Sequence, residues 1–132
     1  MNLITRDSDY AVQAVCLIAE KKEKRVSVRE LVRELKIPRH FLRRILQVLS
    51  RKGILKSYEG RRGGFSLSLK PSFLSLLDII TVFQGDIRLN GHTFKKKICP
   101  HIRNCRIKKE LDLIERDMIA GLESITIRSI IK

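Results

Sequence analysis

A chain of 132 residues with 43% hydrophobic side chains carries enough apolar material for one modest core and too much for a disordered polymer. No apolar run approaches the ~18 residues of a membrane span, and the opening MNLITRDSDY has acids where an export signal needs its apolar segment. The formal charge is +14, and residues 1–70 alone hold 17 basic against 7 acidic side chains, which points to a polyanionic partner. The expected setting is cytoplasmic. Double-stranded DNA is the first candidate partner, an anionic membrane surface the second, and a solvated surface the plain alternative.

In chain order, Ala11, Ala14, Val15 and Ile18 recur at i, i+3, i+4, i+7, one face of a helix that Ser8 is expected to cap. Cys16 beside this face reads as a small core hydrophobe. SVRELVREL opens with Ser27 and Glu30 at capping-box spacing and continues as an amphipathic helix on Val28, Leu31, Val32 and Leu35. Pro38 suits the first position of the next helix, RHFLRRILQVLSRKG, which ends at Gly53. On its wheel Phe41, Leu42, Ile45, Leu46 and Leu49 gather on one side, and Arg39, His40, Arg43, Arg44, Gln47 and Arg51 on the other. Two short helices joined by a tight turn, the second showing an arginine face, form a helix-turn-helix arrangement.

ILKSYEGRRGGFSLSLK alternates apolar and polar at Phe65, Leu67 and Leu69, as a half-buried strand does, with Arg61 and Arg62 at a glycine-rich tip. Placed directly after a recognition-type helix, this is the wing of a winged helix rather than a generic basic hairpin. SLLDIITVFQG is a further capped helix with Leu76, Ile79, Ile80 and Phe83 on one face and Gly85 at its end. A long helix then starts near Arg106. Its apolar residues Ile107, Leu111, Ile114, Met118 and Leu122 approach a coiled-coil seam, expected to bury against a second copy, with the tail SITIRSII adding to that interface. The fold class is mainly α with a small β wing: a winged helix-turn-helix domain over 1–85, a sensor loop over 86–105, and a dimerisation helix with tail over 106–132.

The arginines of the helix face could pair with guanine edges, and those of the wing tip could enter the minor groove. Each alone can be a solvated charge, the lesser of the two readings; as a group they point to nucleic acid. No nucleophile elbow, phosphate-cradling glycine loop or HExxH-type motif is present, so no enzyme reading survives. The rival from another class is a metal or thiol adaptor that turns its basic face to an acidic protein.

LNGHTFKKKICPHIRNC raises separate chemistry. Seven basic residues and no acids lie between Lys95 and Lys109, a setting that favours thiolate at Cys99 and Cys105. Those two with His92 could supply three ligands, and His101 a fourth, for an iron–sulfur cluster of mixed ligation. Zinc is the second reading, although the spacing matches no standard finger. A redox-active thiol pair and an unligated loop are the others.

LITRDSDYAVQAV, IPRHFLRRILQVLSRKGILKS, GRRGGFSLS, SLLDII with FQG, and CPHIRNC before a long helix occur in that order. Together they resemble the Rrf-two (Rrf2) family of bacterial winged-helix transcription regulators over nearly the whole chain. The resemblance implies a homodimer on the long C-terminal helices and a palindromic operator. In many members it also implies a 2Fe–2S or 4Fe–4S cluster on three cysteines plus a variable fourth ligand; other members, of the cysteine-metabolism type, carry none. This chain departs from the pattern: LNGH puts His92 where the first cysteine usually stands, and Lys108 where some members place a histidine ligand. A partner-subunit acidic ligand, used by some members, would correspond to Asp9.

Overall fold

The structure is a computed structural model that describes residues 3–21, 25–89 and 106–131. Six α-helices and one hairpin are placed among them: α1 (Arg6–Glu20), α2 (Val28–Leu35), α3 (Arg39–Arg51), β1 (Leu55–Tyr58), β2 (Gly64–Leu67), α4 (Leu76–Gln84), α5 (Arg106–Ser124) and α6 (Ile127–Ile130). A short 3-10 turn, Pro71–Phe73, precedes α4. This is the winged-helix architecture expected, with α2 and α3 as the helix-turn-helix and β1–β2 as the wing.

One apolar cluster organises it. Ala11, Ala14 and Val15 of α1, Leu31 of α2, and Leu42, Ile45, Leu46 and Leu49 of α3 are all fully buried, joined by Ile79 of α4. At ~25 cal/mol per Å², each large side chain fully withdrawn from water stabilises the fold by ~1.5–3 kcal/mol before the entropy of ordering is subtracted.

Local chemistry sets the element ends, not always where the sequence suggested. Thr5, extended at φ −78°, ψ 167°, caps α1 by accepting from the backbone N–H of Ser8. Ser8 is therefore inside the first turn, buried, with its hydroxyl oxygen accepting from that of Thr5 at 3.2 Å. The first apolar residue of the stripe lies well inside the helix, which displaced the expected start by three residues. Ser27 caps α2 by accepting from the Glu30 N–H at 3.1 Å, but the Glu30 carboxylate turns to Lys21 instead of closing the box. The full capping box occurs at α4, between Ser75 and Asp78. Pro38 is the cap residue before α3 rather than its first helical residue. The turn between α2 and α3 passes through Lys36 in the left-handed region (φ 57°, ψ 32°), a position where glycine is usual.

The wing is an antiparallel pair in the register Leu55↔Leu67 to Tyr58↔Gly64. Val26, just before α2, adds a third line of pairing: it exchanges both backbone hydrogen bonds with Phe65, at 2.8 and 2.9 Å. A Cβ on Gly64 would sit 2.6 Å from the Val26 carbonyl oxygen, so this close approach requires glycine. Leu69 was expected to continue the strand. It lies beyond the end of β2 and is exposed, because the pairing stops at Leu55↔Leu67.

One residue of the tail also departs from expectation. Ile127 is fully buried in the chain's own core, its N–H donating to the Leu74 carbonyl at 2.8 Å, while the Leu76 N–H donates to Ile125. A Ser75↔Thr126 bridge thus ties the end of α5 to the start of α4. Backbone groups that would otherwise lack partners are satisfied at once within the chain, so Ile127 is not left for an interface.

Candidate nucleic-acid interface

α3 presents its polar side to solvent because its four buried residues take the whole of its inner face. Arg39, His40, Arg43, Arg44 and Gln47 are all exposed, and Arg51 continues the row at the C-terminal end. The wing tip adds Arg61 and Arg62, both exposed. Gly60, at φ 94°, and Gly63, where a Cβ would meet the Tyr58 and Gly60 carbonyl oxygens at 2.7 and 2.8 Å, let the tip turn this tightly. A groove lined by Gln47, Ser50, Arg51, Ser57 and Phe65 separates α3 from the wing. The face can therefore make charge-assisted hydrogen bonds to phosphates and base edges along one side of the molecule.

The exposed arginines are held differently. Arg44 donates from Nη2 to both carboxylate oxygens of Asp7 on α1, at 3.1 and 3.2 Å. The Phe41 ring has the Arg44 guanidinium carbon 5.4 Å from its centroid and that of Arg6 at 4.7 Å, and the His40 ring lies against it at 4.2 Å. Arg43 has no such partner among the described residues.

Arg25 braces the wing. Its guanidinium lies 3.8 Å over the Tyr58 ring, and its Nη1 donates to the Arg62 carbonyl at 3.2 Å. The Ser66 hydroxyl donates to the Tyr58 oxygen and holds that phenol below its ordinary pKa; burial opposes this, while Lys56 and Arg25 assist it. Sequence reading missed Arg25, Tyr58 and Asp7. Their partners are 33 to 37 residues away and follow no helical or strand period. The available signal was weak: an arginine and a valine directly before a capped helix, and an acid in the first turn of α1.

Of the ligand set read from the sequence, Asp9 is described: it is exposed on α1 and accepts from the Gln13 side chain at 3.0 Å. His92, Cys99, His101 and Cys105 lie outside the described residues. Among the described residues no group of three His, Cys, Asp or Glu side chains is placed to hold a metal. Cys16 behaves as the sequence suggested: it packs beside the core, and burial, with Glu20 assisting, pushes its thiol up to about 11. No helix among the described residues is long and apolar enough to cross a membrane.

The family model for Rrf2, described as an iron-dependent transcriptional regulator, matches residues 4–132. The chain belongs to the Rrf2 family. Its relatives include an Aquifex aeolicus protein named as an HTH-type transcriptional regulator, 36% identical over 95 residues, which span 70% of this chain and 61% of that one. The regulator NsrR of Bacillus licheniformis is 23% identical over 86% of each chain. Among solved structures, CymR of B. subtilis superposes with a TM-score of 0.79 at 24% identity, over 98% of this chain and 95% of that one. IscR of T. potens superposes at 0.74 and 22% identity, over 97% and 85%. These likenesses establish the winged-helix fold, and the Rrf2 family consists of DNA-binding transcriptional regulators rather than enzymes.

Proposed function

We propose that this Rrf2-family regulator acts as a homodimer that reads a palindromic operator with α3 and the wing. Residues 1–85 would bind DNA, 86–105 sense, and the long helix α5 (Arg106–Ser124) hold the dimer. The observation that carries the reading is the continuous exposed row Arg39, His40, Arg43, Gln47 and Arg51, with Arg61 and Arg62 at the wing tip and no acid among them. Recognition-helix arginines supply base readout, and wing arginines fix register on the backbone. The dimer reading is supported by exposed apolar residues on α5: Ile107 is 67% and Ile114 54% exposed.

The test is binding to fragments of the protein's own promoter across a salt series. Arg43→Ala is expected to cost ~1–3 kcal/mol of specific affinity with the fold intact. If Arg43→Ala and the Arg61→Ala/Arg62→Ala pair both bind as the parent does, the interface is misassigned.

The iron dependence in the family's description fits the donor types this chain offers: two thiolates (Cys99, Cys105), an imidazole (His92) and the exposed Asp9 carboxylate. An iron–sulfur cluster there would supply redox-, iron- or nitric-oxide-sensitive charge next to the DNA-binding module. An imidazole from His92 would hold iron less firmly than a thiolate, making the site more labile than a three-cysteine one. His92 in place of a thiolate also favours a second reading, a cluster-free regulator of the cysteine-metabolism type. Anaerobic reconstitution with iron and sulfide separates the two: uptake that is lost in Cys99→Ala supports the cluster, and no uptake by the parent supports the second reading. Zinc content of the same samples tests the remaining metal.

A further inference from the structure

We propose that Asp7 is a positioning residue for DNA selectivity, pairing with the Arg44 guanidinium so that this arginine does not add indiscriminate phosphate binding. The inference rests on the reading of α3 as the DNA-facing helix. It starts from an asymmetry: Arg43 and Arg44 are neighbours on that helix, yet only Arg44 meets a carboxylate, through two contacts of 3.1 and 3.2 Å from one nitrogen. The pair joins two elements rather than two turns of one helix, since Asp7 lies in the first turn of α1.

Three features fix the geometry. Thr5 caps α1 two residues before Asp7, and the backbone around Thr5 is itself held: Gln84 of α4 accepts from the Thr5 N–H at 2.9 Å and donates to the Leu3 carbonyl at 3.1 Å. The Arg44 guanidinium also lies against Phe41, whose ring carries Arg6 4.7 Å from its centroid. Both members of the pair are partly exposed, with side chains 54% and 36% accessible, so a DNA site can still compete for Arg44.

The chemistry follows from donor counting. Arginine has five N–H donors, and the pair engages the outer nitrogen Nη2, leaving Nε and Nη1 for another acceptor. A lone arginine on a surface this basic would bind any phosphate within reach. With a carboxylate beside it, its net charge is offset against randomly placed phosphates. An acceptor presented in the right direction can still be met by the remaining donors. Asp7 thus lowers sequence-independent binding more than sequence-specific binding.

The experiment measures affinity for promoter fragments and for a random duplex as a function of salt, using the parent, Asp7→Asn, Arg44→Ala and the double variant. Asp7→Asn is expected to raise random-duplex affinity roughly 3–10-fold, steepen the salt slope by about one, and shrink the promoter-to-random ratio by a similar factor. In the Arg44→Ala background the same substitution should change none of these, and Asp7→Glu should restore most of the parent behaviour. Loss of helix stability alone would move the melting temperature and leave the salt slope in place. The proposal is overturned if Asp7→Asn leaves slope and ratio unchanged, or shifts them equally with and without Arg44. Should the parent prefer no promoter fragment, the operator reading falls, while the random-duplex slope still decides the role of Asp7.

Discussion

α3 and α5 are both amphipathic helices, yet their apolar stripes have opposite fates. Leu42, Ile45, Leu46 and Leu49 of α3 are all fully buried, whereas Ile107 and Ile114 of α5 are more than half exposed. The stripe of α5 is also divided along its length. Leu122 is buried within the chain, and Met118 lines a cavity of about 250 Å³ with Leu3, Gln84 and residues 86–89. A periodic pattern shows that a face will be covered; it does not show by what. Covering from within the chain is a stability term, and covering by a second copy is a concentration-dependent one.

That contrast can be broken at several positions. Leu46→Ala should cost ~2–5 kcal/mol in urea unfolding, since a fully enclosed leucine leaves a cavity behind. Gly64→Ala should cost about 1–3 kcal/mol, because the added carbon meets the Val26 backbone at a φ of +148°. Its signature is early loss of the wing, followed by exchange of the Val26 and Phe65 amides. Ser75→Ala removes one hydroxyl from the α4 capping box and should cost about 1 kcal/mol in the same assay. Ile114→Ala, measured at a protein concentration low enough to dissociate any dimer, should change unfolding by less than about 0.5 kcal/mol. Ile114→Asp should shift sedimentation towards monomer; if it stays a soluble dimer, the stripe of α5 is not the seam.

The smallest effect concerns Cys16. Its folded pKa of about 11 lies above that of an exposed thiol, so the folded state retains this proton longer. The resulting stability is fully present below the unfolded thiol pKa and declines as pH rises towards 11. In a Cys99→Ser/Cys105→Ser variant, Cys16 should label slowly with a thiol reagent at pH 8 and markedly faster in urea. Equal rates in both conditions would contradict a packed thiol.

Much of this was legible in the sequence because it depends on local rules. Helix periods placed α1 to α5, SLLDIITVFQG read as a capped helix ending at Gly85, and GRRGG gave a wing tip. What escaped depends on distant partners. Nothing around Ile127 distinguishes an isoleucine bound for its own core from one bound for a second subunit, since both need the same residue. The Asp7–Arg44 pair joins positions 37 residues apart on different helices, and the Arg25–Tyr58 stack spans a similar gap. Ion pairs and cation–π contacts carry no period along the chain, so they emerge only once packing has placed the helices.

Lys36 closes α2 in the left-handed conformation. For a side chain with a Cβ that geometry costs ~1–2 kcal/mol. Lys36→Gly would therefore relieve that strain and make the helix-turn-helix more stable. It would also remove a cation from the approach to the arginine row. The turn is thus a place where folding strength and attraction for a polyanion trade against each other. A thermostabilised variant built by correcting this residue would gain melting temperature while binding DNA less tightly at low salt.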